Sequence, residues 1–302
     1  MNNQINIILS QNIDIEKWDG CIRQSNNPVI YAYSYYLNHL ADNWSGIVFN
    51  DYEAVMPVCW RRKSGIKYSY DVPFVQQLGW FSKNKNLDTA LLMENFFSYC
   101  KYGDYVFNFN NAVNITKINL CNNYILPLFD SYLSVSENYK PGLHYSLQKA
   151  AKQKLVYMHE NIDSPIDIYK ALYHAKFSHV TEKDFCKFKK LCKFLLQKNA
   201  AIARKICNPK NETLAAAVLL KDETRLYNLI NCVTEEGRKA EANHFLFDNI
   251  FREFAESNLI FDFEGSDVAG IKSFYEKFGA TNQPYFRLHF NHLPLPLRLL
   301  KR

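Results

Sequence analysis

The chain has 302 residues, a length that suits two domains of ordinary size. Hydrophobic residues make up 48% of it, with 22 Phe and 20 Tyr, which excludes an intrinsically disordered chain. The net charge of +6 is unevenly placed, because residues 140–210 contain 15 Lys and Arg against 5 Asp and Glu. This excess of positive charge has two alternative interpretations. One is a solvated helix face, and the other is a surface that attracts an anionic partner such as tRNA, a CoA phosphate or a cell-wall precursor pyrophosphate.

No apolar run approaches the roughly 18–20 residues of a membrane span. The N-terminal stretch has neither a basic region nor a long apolar segment, so no signal peptide is expected. None of the eight cysteines forms a Cys-x-x-Cys pair, and most lie in apolar segments where a thiol acts as a small hydrophobe. We therefore expect a protein of the reducing cytoplasm, without a membrane span or a metal site.

The first half of the chain predicts helices and strands in alternation. One helix follows Pro28, and Asp88 is placed to cap a second helix over residues 89–101. Pro73 lies in an aromatic-rich stretch and favours an edge strand or a bulge there. After a first strand and a short helix within residues 5–21, the expected strands are 46–49, 54–61, 76–81 and 105–109.

The second half repeats this alternation after a connecting segment over residues 113–139. Lys140-Pro141-Gly142 is the predicted boundary, which gives domains of residues 1–140 and 141–302. Ser164 and Thr181 are predicted helix N-caps, the latter for a Lys-rich helix. The expected strands are 155–158, 201–207, 214–220, 226–232, 259–264 and 285–290.

The stretch from 259 to 280 organises the second half, because it predicts a buried strand, a short loop and a helix. Asp262 and Glu264 stand two residues apart, so both point to one face of the strand. The helix that follows carries Tyr275, and Gly279 suits its C-terminal stop. Carboxylates at the end of a strand, beside a loop, are candidates for acid–base chemistry.

An internal repeat links the two halves. Residues 105–110 match residues 259–264, and residues 91–96 match residues 245–250, at one common offset of 154 that relates Asn108 to Asp262. A helix and the strand after it therefore recur without a gap, and three strands precede them in each half. The chain reads as one structural unit used twice.

The segment 274–280, Phe-Tyr-Glu-Lys-Phe-Gly-Ala, resembles a signature of the GNAT acyltransferase superfamily. The run from Val55 to Phe81 and the basic segment 143–154 resemble tandem-GNAT proteins of the Fem-type aminoacyl and peptidyl transferase group. The resemblance implies an α/β (α+β) fold of two tandem GNAT-like domains, each a mixed, mainly antiparallel sheet flanked by helices. It also implies an acyltransferase that moves an acyl or aminoacyl group from acyl-CoA or aminoacyl-tRNA to an amine. The acceptor would be a small molecule or a peptidyl amine.

The resemblance places the acyl donor's pyrophosphate on the loop 234–243. Free backbone N–H groups and a helix dipole favour an anion at such a place, and a glycine allows close approach. Three glutamates in the loop would repel a phosphate, so an ordinary loop before a helix is the alternative. The predicted donor-binding residues are Gly237, Arg238, Lys239, Ala240 and Asn243.

The first copy of the repeat differs from the second in chemistry. It has Asn108 and Asn110 where the second copy has Asp262 and Glu264, and amides cannot act as general bases. We therefore expect domain 141–302 to bind the acyl donor and domain 1–140, with its degenerate site, to shape the acceptor side.

Glu264 is the predicted general base and Asp262 the second candidate, while the resemblance makes Tyr275 the acid for the leaving group. Each has a simpler interpretation: the carboxylates as caps of the next helix, and Tyr275 as a core residue. His244, near a predicted helix start, could be catalytic, but we interpret it as a surface or capping residue. The alternative function is a non-catalytic binding protein that retains a degenerate GNAT fold, and the Lys-rich helix makes tRNA a further candidate partner.

Overall fold

The computed structural model of the protein describes residues 4–84, 87–111, 118–176, 179–265 and 267–300. The strands are β1 (Ile5–Leu9), β2 (Trp44–Phe49), β3 (Ala54–Lys63), β4 (Ile66–Ser69), β5 (Phe81–Ser82), β6 (Tyr102–Phe107), β7 (Ile118–Cys121), β8 (Tyr124–Pro127), β9 (Val156–His159), β10 (Ala201–Cys207), β11 (Thr213–Lys221), β12 (Arg225–Val233), β13 (Ile260–Asp262), β14 (Thr281–Asn282) and β15 (Tyr285–Asn291). The helices are α1 (Ile15–Gln24), α2 (Ser34–Leu40), α3 (Thr89–Tyr99), α4 (Tyr132–Glu137), α5 (Pro141–Ala151), α6 (Asp163–Tyr173), α7 (Glu182–Leu196), α8 (Glu235–Lys239), α9 (Ala242–Phe254), α10 (Ala269–Glu276) and α11 (Leu297–Leu300).

The first unit, Met1–Cys121 with Pro284–Arg302, contains an eight-stranded sheet. Its strand order is β1-β2-β3-β4-β6-β15-β7, and β5 pairs with β3. The pairs are antiparallel except for the contact of β4 with β6. Helix α1 packs against β3, and α3 packs against β2. Large aromatic side chains such as Trp18, Phe96 and Phe107 fill the core of this unit.

The second unit, Asn122–Gln283, contains a seven-stranded sheet in the order β14-β8-β13-β12-β11-β10-β9. Here the pairs are antiparallel except that β12 and β13 run parallel. Helix α6 packs against β12, and α9 packs against β10 and β11. A cluster of phenylalanines joins α9, β13 and the end of α10: Phe247, Phe251, Phe261, Phe263 and Phe278. The predicted fold class, two mainly antiparallel sheets with flanking helices, is confirmed.

The helix and strand of the internal repeat have the same arrangement in both units. Helix α3 leads into β6, and α9 leads into β13, at the offset found in the sequence. Strand β13 runs parallel to β12, which precedes α9, whereas β6 runs parallel to β4, which β5 separates from α3. The two copies differ upstream of the helix, because predicted strand 76–81 is reduced to a bridge from Leu78 to Phe107 and the two residues of β5. Positive φ angles at Phe74 (64°) and Gly79 (101°) break the extended conformation there.

The borders of the two units differ from the predicted division at residue 140. Strand β8 follows the first unit in sequence but pairs with β13 and β14. Strand β15, at the other end of the chain, pairs with β6 and β7. Residues 122–140 therefore belong to the second unit and residues 284–302 to the first. The strand with which a segment forms backbone hydrogen bonds, and not its position in the sequence, decides the unit to which it belongs.

A buried ion pair holds β12 and β13 together. Arg225 Nη1 donates to Asp262 Oδ2 over 2.9 Å, and the two side chains are almost fully buried. Arg225 Nη2 also donates to Gln283 Oε1 (2.7 Å), and Asn123 Nδ2 donates to Asp262 Oδ2 (3.2 Å). Four segments of the second unit thus meet at one guanidinium–carboxylate pair, which fixes where the two parallel strands lie side by side.

We expect Arg225→Leu to lower the free energy of unfolding of the second unit by about 3–5 kcal/mol, because it leaves the Asp262 carboxylate buried without its cation. Urea denaturation of the variant measures this loss. The matched control is Glu235→Gln, which removes the exposed pair of Glu235 with Lys239 and should cost less than about 1 kcal/mol. Equal losses in the two variants would contradict a structural role for the buried pair.

Candidate functional site

A cavity of about 730 Å³ lies in the second unit, at the fork where β12 and β13 part. Strand β13 pairs with β12 along Arg225, Leu226 and Tyr227, whereas β12 continues to Val233. Residues beyond the paired segment of both strands line the cavity. The remaining walls come from α6, α8, the start of α9, and α10. The lining includes Asn228, Leu229, Phe263, Glu264, Phe274 and Tyr275.

A β-bulge shapes the β12 side of the fork. Val218 of β11 is opposite Ile230, but the next residue, Leu219, is opposite Asn228, so Leu229 has no counterpart in the register. A bulge bends the strand and redirects its side chains. Both Asn228 and Leu229 line the cavity as a result.

A turn at the end of β13 places Glu264 in the cavity wall. The backbone N–H of Glu264 donates to Asp262 Oδ1 over 3.0 Å, and the φ angle of Glu264 is +65°. A non-glycine residue in this left-handed region costs free energy that the surrounding structure must offset. The Asp262 side chain therefore orients the backbone on which the predicted base is carried.

Burial changes the protonation of Glu264. Loss of solvent raises the pKa of its carboxyl group to about 8, because an ionised carboxylate is disfavoured away from water. Tyr275 lies in the same wall, with its ring 4.5 Å from that of Phe263. Burial, followed by the charge of Glu264, raises the pKa of Tyr275, so the phenol keeps its proton at neutral pH. The structure thus brings the predicted base and the predicted acid into one cavity.

Asp262, the second candidate base, is placed differently. Its carboxylate accepts from Arg225, Asn123 and the Glu264 backbone, and it lies outside the cavity lining. These three hydrogen bonds give the Asp262 carboxylate a structural role. The sequence predicted that Asp262 and Glu264 point to one face of the strand. Only Glu264 lines the cavity, because the chain turns between the two residues.

The predicted donor loop is only partly directed at the cavity. Gly237, Arg238 and Asn243 line it, whereas Lys239 pairs with Glu235 (2.9 Å) and Ala240 packs against the hydrophobic core. The Gly237 N–H donates to Thr234 Oγ1 (3.0 Å), so it is already occupied. A Cβ atom at Gly237 would lie 2.1 Å from the carbonyl oxygen of Leu214. The glycine is explained by the close packing of α8 against β11.

His244, interpreted from the sequence as a surface or capping residue, lies in the cavity wall. Its Nδ1 is 2.8 Å from Glu241 Oε2, and its Nε2 is 3.5 Å from Lys277 Nζ. Burial and the Lys277 charge lower its pKa, so the ring is neutral near pH 7. Sequence reasoning also missed Asn228 and Tyr169. The signal for Asn228 was present, since it is one of two asparagines within the mostly apolar run of β12.

The described part of the chain has no cluster of three or more His, Cys, Asp or Glu side chains suited to a metal ion. Among its helices, none combines the length and the apolar character that crossing a bilayer requires.

Solved structures with the same fold are found, although no protein-family model and no curated protein matches the chain. A crystal structure of FemX superposes with a TM-score of 0.65 over 99% of both chains, at 11% sequence identity. The chain shares the fold of FemX. The structure of L-PGS from Bacillus licheniformis gives 0.54 over 96% of this chain and 98% of that one, at 12% identity. Saccharomyces cerevisiae N-myristoyltransferase with bound myristoyl-CoA gives 0.51 over 95% and 79%, at 10% identity.

The predicted resemblance to the Fem-type group is therefore confirmed at the level of the fold. The superposition with FemX covers both units, so the tandem architecture is shared and not only a single domain. At these sequence identities the three matches show the fold alone, and the chemistry depends on the residues that line the cavity.

Gly237→Ala separates the packing role of this glycine from a role in binding phosphate. We expect a loss of about 1–3 kcal/mol in the free energy of unfolding, because the added methyl group meets the Leu214 carbonyl. Gly142→Ala in α5 is the control, since a Cβ there meets nothing within 4 Å. If Gly237→Ala unfolds at the same urea concentration as the wild type, packing does not explain the glycine.

The raised pKa of Glu264 predicts a pH-dependent stability. The unfolded chain releases this proton near the ordinary value of 4.5 and the folded chain near 8, so the contribution is complete below about 4.5 and is lost as pH rises to about 8. Urea midpoints at successive pH values should show the wild type losing stability over this range relative to Glu264→Gln. Parallel curves for the two proteins would show that Glu264 ionises normally.

Proposed function

We propose that the chain is an acyltransferase that moves an acyl or aminoacyl group onto an amine, and that the reaction takes place in the cavity of the second unit. The observation that carries the proposal is that Glu264 and Tyr275 lie in the same cavity wall, where burial raises the pKa of the Glu264 carboxyl group to about 8. A base of this pKa is suited to accept a proton from an ammonium group near neutral pH.

The reaction assigns one role to each of the two residues. Glu264 takes a proton from the amine, the amine nitrogen forms a bond with the acyl carbonyl carbon, and the bond from that carbon to the donor's sulfur or oxygen breaks. Tyr275 gives its proton to the departing thiolate or alkoxide. Asp262 acts indirectly, because it holds the backbone of Glu264.

The donor is proposed as acyl-CoA or aminoacyl-tRNA. The structural match to an N-myristoyltransferase with bound myristoyl-CoA supports the first, since that protein holds an acyl-CoA within this fold. Arg238 is the only Lys or Arg among the residues that line the cavity in the described part of the chain, so we assign it to the donor's anionic portion. Asn243 lines the same region, whereas Lys239 and Ala240 are not retained in this role.

The partners follow from the same scheme. A small-molecule or peptidyl amine is the acceptor, and the division into a donor side (141–302) and an acceptor side (1–140) stays a prediction. The Lys-rich helix α7 is a weaker candidate for a tRNA surface, because Lys189 contacts Asp167 (2.6 Å) and Lys193 contacts Asp163 (2.9 Å). We propose the cytoplasm as the location, where both donors occur.

A non-catalytic binding protein is the second candidate. Its support is the occupied amide of Gly237, which leaves the predicted phosphate loop without that donor. The convergence of Glu264, Tyr275 and His244 on one cavity favours the catalytic alternative, since a degenerate site has no need for titratable groups in this arrangement.

Transfer from acetyl-CoA to a panel of primary amines tests the proposal. The wild-type rate should rise with pH to a plateau with a midpoint near 8, because only the ionised form of Glu264 accepts a proton. Glu264→Gln should lower the rate by about 10²–10⁴ and remove that midpoint. Glu276→Gln on α10, outside the cavity, is the control. Binding without transfer would favour the non-catalytic alternative, and no acetyl-CoA binding at millimolar concentration would exclude this donor.

A further inference from the structure

Asn228 is an unusual residue in the cavity wall because it is buried and its carboxamide oxygen is unpaired. Its relative exposure is 5%, and Oδ1 has no hydrogen-bond partner among the described residues. Buried polar atoms in native proteins are nearly always paired, so each exception needs an explanation. The neighbouring carboxamides show the usual arrangement: Asn231 and Asn243 pair with each other in both directions, at 2.9 and 3.2 Å.

The position of Asn228 connects it with Glu264. Tyr227 and Asp262 are the last paired residues of β12 and β13. Asn228 is the next residue on one strand, and Glu264 is two residues on along the other. Both residues line the cavity, so Asn228 and the candidate base stand at the start of the same fork. The bulge at Leu229 follows immediately and turns this part of β12 away from regular pairing.

The surroundings limit what can satisfy the oxygen. A carboxamide oxygen is an acceptor only, so its partner must bring an N–H or O–H group. The walls around the fork are largely apolar, with Leu229, Tyr169 and Phe274 among them. A partner that is polar at one end and apolar beyond it fits both features.

We infer that Asn228 Oδ1 accepts an N–H of the acceptor amine and holds it beside Glu264, and that the acceptor is a primary amine on an apolar group. This inference rests on the proposed function and adds the substrate class and a binding residue. The amine then has two acceptors at the fork: Asn228, which orients it, and Glu264, which takes its proton.

Binding of phenethylamine, measured by calorimetry without any acyl donor, tests the inference. Wild-type protein should bind phenethylamine at millimolar concentration. It should bind 2-phenylethanol about tenfold more weakly, because the single O–H donor of this alcohol cannot serve both acceptors at the fork. Asn228→Leu should weaken phenethylamine by about tenfold, and Asn228→Asp, which keeps an acceptor oxygen, should retain it. Because no acyl donor is present, the result does not depend on whether Glu264 catalyses transfer.

Thermal unfolding distinguishes a binding role from a structural one. Asn228→Leu should be at least as stable as the wild type, because it removes a buried acceptor that has no partner. Asn231→Leu should be less stable, because it leaves Asn243 unpaired.

Three results would overturn the inference. One is no binding of phenethylamine by the wild type, and another is equal binding by wild type and Asn228→Leu. The third is weakened binding of acetyl-CoA in Asn228→Leu with phenethylamine binding unchanged, which would assign the oxygen to the donor.

Discussion

The buried pair of Arg225 and Asp262 determines where the second unit can have a cavity. It ties β12 to β13 at the end of their short parallel contact, together with Asn123 and Gln283. Beyond this point the strands part, and the space between them becomes the cavity. The other carboxylate oxygen of Asp262 accepts from the Glu264 backbone, so the same side chain ends the paired segment and positions the residue proposed as the base. A buried ion pair stabilises a protein less than apolar packing does, but it requires one particular geometry. This requirement fixes the point at which β12 and β13 separate.

The first unit shows what the repeat becomes when the same position carries an amide. Asn108 corresponds to Asp262, but it accepts from Asn27 Nδ2 (2.9 Å) and donates to the Leu78 carbonyl (2.8 Å). Asn111 is bound to Trp80 through both its oxygen and its nitrogen. This buried network is satisfied internally and holds residues 78–80 against β6. A neutral network of this kind is a structural element, whereas the second unit keeps ionisable groups where the strands separate.

The sequence was sufficient for the fold class, and it also singled out Glu264 and Tyr275, which the structure places in one cavity wall. Periodicity predicted α9 and the long strands β10, β11 and β12, because these are strongly patterned segments, and the internal repeat predicted the short strand β13. The borders of the units could not be predicted, because β8 and β15 find their partners through backbone hydrogen bonds that carry no side-chain signal. The residues predicted to bind the donor line the cavity only in part, and the sequence could not show which of them do. A glycine before a helix has the same letter whether it approaches a ligand or, like Gly237, a carbonyl group of its own chain.

Two residues with unfavourable features lie at the fork of β12 and β13. Glu264 has a strained backbone and a carboxyl group that is costly to ionise, and Asn228 keeps a buried oxygen unpaired. Selection for stability alone would remove each of them, since a leucine or a glycine would be tolerated better at these positions. The amine proposed as the acceptor accounts for both residues, because it would bring a hydrogen-bond donor to Asn228 and a proton to Glu264.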